Sequence, residues 1–345
     1  MTSSNRLNAA SASQLLTDVA ENSLLPTLHK NAVASAAAKA RRAERAQQEL
    51  VGELPDNASA EQVENERRRR SVTVGKRIYL PMAAHGSVAL PLVLVRGPLF
   101  SPERSTVGRM QLDKDLQPPL SWRHGETYAE SVGPRLGAFD RRVYAASVEL
   151  FRHMPVETDG TQVRLATTVH NLVGRLVGRE SGVQYNAASR DAVRESLQRL
   201  RGTSVRLVSV AVSVEVPRLL DWEETSQGLA IALPRPTHLL FGLKSWWGIP
   251  DQALSARVSG LKAWLVAFYS THSEPYPIQV ETLHRLSGFP GSLPRFRDKL
   301  GLALKGLSDE AVPVEIRVRA YAPESLGGAK TVTVVMAAWK QATKR

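Results

Sequence analysis

Few residues of this chain are placed to do covalent or acid–base chemistry. There is no cysteine, which excludes thiolate nucleophiles, thiolate metal sites and disulfides. The eight histidines are scattered, His272 and His284 being the closest pair. No His-x-His or His-x-x-x-His spacing sets two imidazoles on one metal. No Gly-x-x-x-x-Gly-Lys-Ser/Thr loop is present to cradle a triphosphate. The seven tyrosines include no adjacent pair. These absences predict a protein that is not an enzyme, with no catalytic residue, no metal site and no cofactor. What the chain has in excess is positive charge. Lys and Arg number 45 against 33 Asp and Glu, for a formal net charge of +12. Residues 1–75 hold ten Lys/Arg and nine Asp/Glu, so a net of +11 belongs to residues 76–345. A basic body predicts a polyanionic partner, through counterion release and long-range steering. A merely soluble basic protein fits the same number.

The cations follow patterns. On a helical wheel over Ser292–Leu307, Leu293, Phe296, Leu300, Leu304 and Leu307 share one side. Arg295, Asp298 and Lys305 point away from it, with Arg297 and Lys299 on the flanks. Arginine suits bidentate contact with guanine and lysine suits phosphate, so the candidate DNA-binding residues here are Ser292, Arg295, Arg297, Lys299 and Lys305. A second stretch, Ser189–Arg201, offers Arg190, Arg194 and Arg199 beside Asp191 and Glu195. Its balanced charge predicts positioning on the backbone more than base reading. Arg317, Arg319 and Lys330 flank a Gly327-Gly328 turn, with Arg317 and Arg319 on one strand face. For each set, an ordinary solvated surface is the alternative. Arg67 to Arg70 form a run that either grips phosphate or ends a solvated helix. Trp246-Trp247 offers base stacking or, more simply, a plug between domains.

The elements that must hold these residues read as follows. Residues 1–75 are rich in Ala, Ser, Gln, Glu and Arg. Ala32–Val51 favours helix but lacks large apolar side chains, so 1–75 reads as a largely non-globular, partly helical extension. Beyond it one order occurs twice: helix, short strand, two helices, then a hairpin. The first copy has helices over Phe139–Met154, Val169–Val177 and Ser189–Arg201. Its hairpin joins Ser204–Val210 to Leu229–Leu233. The second has an apolar stripe from Val258 to Phe268, a short helix ending at Gly288, a helix over Ser292–Leu307, and strands Val314–Val318 and Thr331–Met336. This is the order of a winged helix-turn-helix, whose recognition helix enters the major groove. The expected class is therefore α+β, with tandem winged helix-turn-helix domains over 76–250 and 251–345. No apolar run approaches the ~20 residues of a membrane span. The N-terminus lacks the basic-then-apolar order of a secretory signal. A cytoplasmic protein away from membranes is expected.

One stretch is more specific. Trp264–Tyr269, His272, Glu274-Pro275-Tyr276-Pro277 and Glu281-Thr282 before a helix ending at Gly288 resemble the TrfA-type plasmid replication initiators. Arg96-Gly97-Pro98-Leu99-Phe100 and Ser196-Leu197-Gln198-Arg199-Leu200 resemble further parts of that family. The resemblance implies a plasmid replication initiator that binds repeated origin sequences (iterons) in double-stranded DNA as a monomer. It also implies a self-dimer linked to plasmid copy control, and recruitment of the host initiator and replicative helicase. The family's Gln-Leu-x-Leu-Phe clamp-binding element has no counterpart here. Arg77-Ile78-Tyr79-Leu80-Pro81-Met82 stands in its place, and Gln14-Leu15-Leu16 is a fragment. A winged-helix transcriptional repressor on an inverted-repeat operator is the alternative function. A scaffold that meets acidic partners is a third.

Overall fold

The computed structural model describes residues 53–55, 57–102, 119–177, 187–209, 213–226, 228–242, 245–254, 258–272, 274, 276–326 and 329–338. The helix expected over Ala32–Val51, the Gly178–Gly182 turn, the Gly327-Gly328 turn and Gln14-Leu15-Leu16 lie outside them.

Residues 53–75 are not a loose extension. Strand β1 (Glu53–Leu54) pairs in parallel with β2 (Val72–Val74), and β2 pairs antiparallel with β3 (Arg77–Tyr79) across residue 75. Helix α1 (Ala60–Arg69) lies between β1 and β2 in sequence. It starts at Ser59 in a capping box, in which the Ser59 hydroxyl accepts from the Gln62 amide and the Gln62 side chain accepts from the Ser59 amide. Its last turn is tied down by Arg67, which is buried with its guanidinium 4.6 Å from the centre of the Tyr79 ring. That stacking, with the burial of Val72, supplies the core that composition alone hid.

The chain continues through β4 (Ser87–Pro91), α2 (Leu92–Arg96), β5 (Phe100–Ser101), β6 (Leu120–His124), β7 (Thr127–Val132) and β8 (Leu136–Gly137). Next come α3 (Ala138–Leu150), β9 (Glu157–Thr158), β10 (Thr161–Gln162), β11 (Arg164–Thr167), α4 (Val169–Val177) and α5 (Ala187–Arg201). Four strands follow: β12 (Ser204–Val208), β13 (Ser213–Val216), β14 (Asp221–Thr225) and β15 (Gly228–Ala232). A 3-10 helix, Arg235–Phe241, leads to β16 (Trp246–Pro250) and α6 (Asp251–Leu254). The last stretch is α7 (Gly260–Ser270), β17 (Pro277–Gln279), α8 (Val280–Ser287), α9 (Leu293–Leu307), β18 (Val318–Leu326) and β19 (Ala329–Met336). The class is α+β.

The repeated order is present, and so is a repeated sheet. The set α3, β11, α4, α5, β14, β15 closes a sheet in the order β11-β15-β14. The set α7, β17, α8, α9, β18, β19 closes one in the order β17-β19-β18. Two strand readings change. The expected hairpin between Ser204–Val210 and Leu229–Leu233 does not form. Strand β12 pairs with β13 and β7, while β15 pairs with β14 and β11. The true partner, β14, reads Asp-Trp-Glu-Glu-Thr, in which three of five residues are acids that disfavour strand. It is held by arginines that reach it from neighbouring elements. In the second copy Val314–Ile316 is a turn, and the strand starts at Val318. The Asp309 carboxylate accepts from the Ala311 amide, and the Pro313 carbonyl accepts from the Ile316 amide, so local turn chemistry wins over the alternating pattern.

Most of the buried apolar residues form one cluster, from Ile78 to Met336. Several contacts bind the two copies across it. Arg141 of α3 donates to the Ala263 carbonyl of α7 at 2.7 Å. The Gly288 carbonyl accepts from the Ser101 hydroxyl at 3.1 Å and from Arg135 at 3.3 Å. Strand β4 pairs with β16 along its length. There Trp246 is half-buried against the core while Trp247 is 41% exposed, so only one of the pair acts as a plug.

Candidate nucleic-acid interface

Helix α9 is set by what packs beneath it. Phe296, Leu300, Ala303, Leu304 and Leu307 are buried. The Phe296 ring centre lies 5.0 Å from that of His284 and 5.5 Å from that of Phe289. The turn from α8 to α9 is pinned by His284, whose Nε2 lies 2.8 Å from the Gly291 carbonyl. A carbonyl only accepts, so Nε2 carries the proton there. Helix α8 ends on Gly288 in the left-handed region, with φ 63. A Cβ at that position would meet the Pro98 carbonyl at 2.9 Å. The sequence assigns His284 no such role, because its partner Phe296 stands twelve residues on, a spacing that no local periodicity reports.

The opposite face of α9 is open. Ser292, Pro294, Arg295, Asp298, Lys299, Gly301, Leu302 and Lys305 are all exposed. The cations expected on this face are there, with one acid among them. Ser292 caps the helix by position, without a side-chain hydrogen bond. Pro294 falls in the first turn, where its missing N–H costs nothing. Arg297 is half-buried, with its Nε enclosed and unpartnered among the described residues. It is thus less available than Arg295 or Lys299. A further cation joins from α7, since the Lys262 ammonium lies against Gly306 of α9.

The hairpin cations separate. Arg317 precedes β18 and donates to the Glu310 carbonyl at 3.1 Å. Arg319 is the extra residue where the β18–β19 register shifts between Val318 and Ala320. The two do not share a strand face, because Arg317 lies outside the strand and Arg319 sits at its irregular start. Lys330 is exposed and sits opposite Ser325.

Helix α5 presents another picture. Arg190 is exposed. Arg194 is bound to Glu224 at 2.7 Å and to Asp191 at 3.4 Å, and its hydrogen bond to Glu224 raises its pKa above the ordinary arginine value. Arg199 turns inward: both its Nε (3.0 Å) and its Nη2 (2.8 Å) meet Asp140, which also accepts from the Ser196 hydroxyl at 2.6 Å. Arg201 meets Asp221 at 3.1 Å. Arg164 spans Asp221 and Glu223, and Arg218 reaches Asp221. The acids of β14 line a groove of about 330 Å³ together with Arg201 of α5 and Arg164 of β11. In α1, Arg68 pairs with Glu64 and Arg70 with Glu66, so the arginine run is largely spent within the fold.

Two of the segments that carried the family resemblance, Arg96–Phe100 and Trp264–Gly288, meet in space. Arg96 donates to the Thr271 hydroxyl at 2.7 Å and to the Thr271 carbonyl. Pro98 backs onto Gly288. His272 is buried, with Nδ1 2.8 Å from the Phe268 carbonyl, so Nδ1 is the protonated nitrogen. Its Nε2 then accepts from the Tyr276 hydroxyl at 2.7 Å. Ser273 and Pro275 lie outside the described residues. The segment Ile78–Tyr79, in the place of the missing clamp-binding element, is buried strand.

Among the described residues no three His, Cys, Asp or Glu side chains come together to hold a metal ion, and no helix is long and apolar enough to cross a membrane. No family model matches the chain, and no curated protein does. Two crystal structures of RctB are similar. A selenomethionine derivative of its domain 2 and domain 3 gives a TM-score of 0.45 at 13% identity, covering 72% of this chain and 99% of that one. RctB domains 2-3 (155–483) give 0.43 at 12% identity, covering 71% and 96%. Likeness at this level fixes neither a fold family nor an activity.

Proposed function

We propose that this chain is a plasmid replication initiator that acts by binding, not catalysis. In this reading it consists of two tandem winged helix-turn-helix domains, over residues 76–250 and 251–345. It binds direct repeats in origin DNA and brings host initiator and helicase to them. The observation that carries the DNA-binding part is the exposed cationic face of α9, mounted on an element order and sheet order that occur twice. Helix α9 is the recognition helix, with Arg295 against base edges and Lys299 and Lys305 against phosphate. Arg319 and Lys330 extend the contact along the backbone from the hairpin. Helix α5 contributes positioning. The replication role is supported by the residues of Tyr269–Gly288 that resemble TrfA-type initiators.

The test is a plasmid replication assay with the gene supplied in trans, together with a footprint across the origin. Protection of direct repeats and loss of replication on deletion are expected. A footprint on an inverted repeat without a replication defect would point instead to a repressor. At the residue level, Arg295→Ala should relax base preference, at about 1–3 kcal/mol for a bidentate contact. Lys299→Ala should weaken all sequences alike and flatten the salt dependence. Equal effects of the two changes on specific and random DNA would refute these roles.

A further inference from the structure

The middle of α9 holds two residues that its packing does not explain. Leu302 is 64% exposed, more than any other large apolar side chain among the described residues. A lone exposed leucine is ordinary, but this one lies among Asp298, Lys299 and Lys305, one turn away on either side, at the centre of the open face. Its neighbour Gly301 stands inside the helix, where glycine is a poorer choice than alanine. No atom lies within 4 Å of the place its Cβ would take, so no contact within the described fold requires it. A backbone stripped to glycine beside an exposed methyl-bearing side chain suits close approach to an outside surface.

Comparison with α5 sharpens this. Setting the buried residues Val193, Ser196, Leu197 and Leu200 onto Leu300, Ala303, Leu304 and Leu307 puts Glu195 where α9 has Leu302. The two helices share a packing face and differ in what they present. In the major groove, thymine alone offers a methyl group, and apolar side chains meet it. We infer that Gly301 and Leu302 form a base contact that reads thymine through its 5-methyl group, with Gly301 allowing the helix to sit deep enough. This rests on the DNA-binding reading above and adds a sequence feature to it.

The experiment uses the full chain and the duplex it enriches from a randomised pool. Each thymine is replaced singly by deoxyuridine, which lacks only the methyl group. At one or two thymines, affinity should fall about three- to five-fold, the size set by one buried methyl. Leu302→Ala should bind the thymine and uracil duplexes alike, while keeping its affinity for random DNA. Gly301→Ala should raise the thermal midpoint, because alanine favours helix and meets no clash, yet weaken the enriched duplex more than three-fold. Tolerance of uracil at every position overturns the proposal. So does unchanged discrimination by Leu302→Ala, or undiminished specific binding by Gly301→Ala. If no sequence is enriched at all, the DNA-binding reading itself fails and this contact falls with it.

Discussion

Two neighbouring residues on α3 show how differently the fold treats charge. Asp140 is buried and satisfied by the Gly137 amide, the Ser196 hydroxyl and the Arg199 guanidinium. Asp140→Ala strands a guanidinium whose side chain is only 13% exposed. Loss of one partner of a buried pair costs about 3–5 kcal/mol, so a large fall in the denaturant midpoint is expected. Arg141 is equally buried, but among the described residues no carboxylate pairs with it. Burial, and then the nearby Arg142, push its pKa down to about 10. Its charge therefore works against folding at neutral pH. Arg141→Met should leave stability unchanged or raise it, by up to about 1–4 kcal/mol. A marked loss would show that the Ala263 hydrogen bond outweighs the buried charge. His238 gives a pH signature. Burial holds its pKa below the ordinary 6.5, with the charge of Arg235 adding and the hydrogen bond to the Arg235 carbonyl opposing. The unfolded chain takes up that proton first as pH falls. The stability His238 contributes is thus present above about pH 6.5 and lost as pH drops from there toward the folded pKa. Thermal midpoints should decline from pH 7 to 5.5, and less steeply in His238→Gln; parallel declines would remove His238 as the cause.

Among elements, the pairing of α5 with β14 decides how much of the positive charge faces outward. Formal charge counts Arg164, Arg194 and Arg201 as cations for a polyanion, yet each already meets a carboxylate of β14. Asp221 is buried, but Glu223 and Glu224 make exposed pairs, which add little stability, so these two acids can be neutralised without harm to the fold. Glu223→Gln with Glu224→Gln should raise affinity for random duplex DNA. The slope of log K against log salt should steepen by about 0.9 for each arginine that gains a phosphate. An unchanged slope would mean that α5 never approaches the backbone. Among the described residues, by contrast, Arg295, Lys299 and Lys305 of helix α9 meet no carboxylate at ion-pair distance, and Arg319 stands at the start of the neighbouring β18. The two helices look alike in sequence and differ in availability for that reason.

At the scale of the whole molecule, the two copies are joined through α3, α7 and the Gly288 carbonyl over one continuous core. The described body should unfold in a single calorimetric transition with matching van't Hoff and calorimetric enthalpies; two separated transitions would show the copies to be independent. The joint also explains where the specific sequence block lies. His272, Tyr276 and Gly288 are spent on fixing α7, α8 and the Arg96–Ser101 segment together, so that block is a seat for α9 more than a contact surface. The sequence by itself determined the helices α3, α4, α5, α8 and α9, the α+β class and the polar face of α9. Those are local matters: periodicity, proline and glycine placement, and side-chain type suffice for them. Only the tertiary structure decided that β14 and not β12 completes the first hairpin, that Arg67 and Arg199 turn inward, and that residues 53–75 join the body. Each of these depends on which distant partner a charge or a strand edge finds, and such long-range pairings leave no local period in the chain.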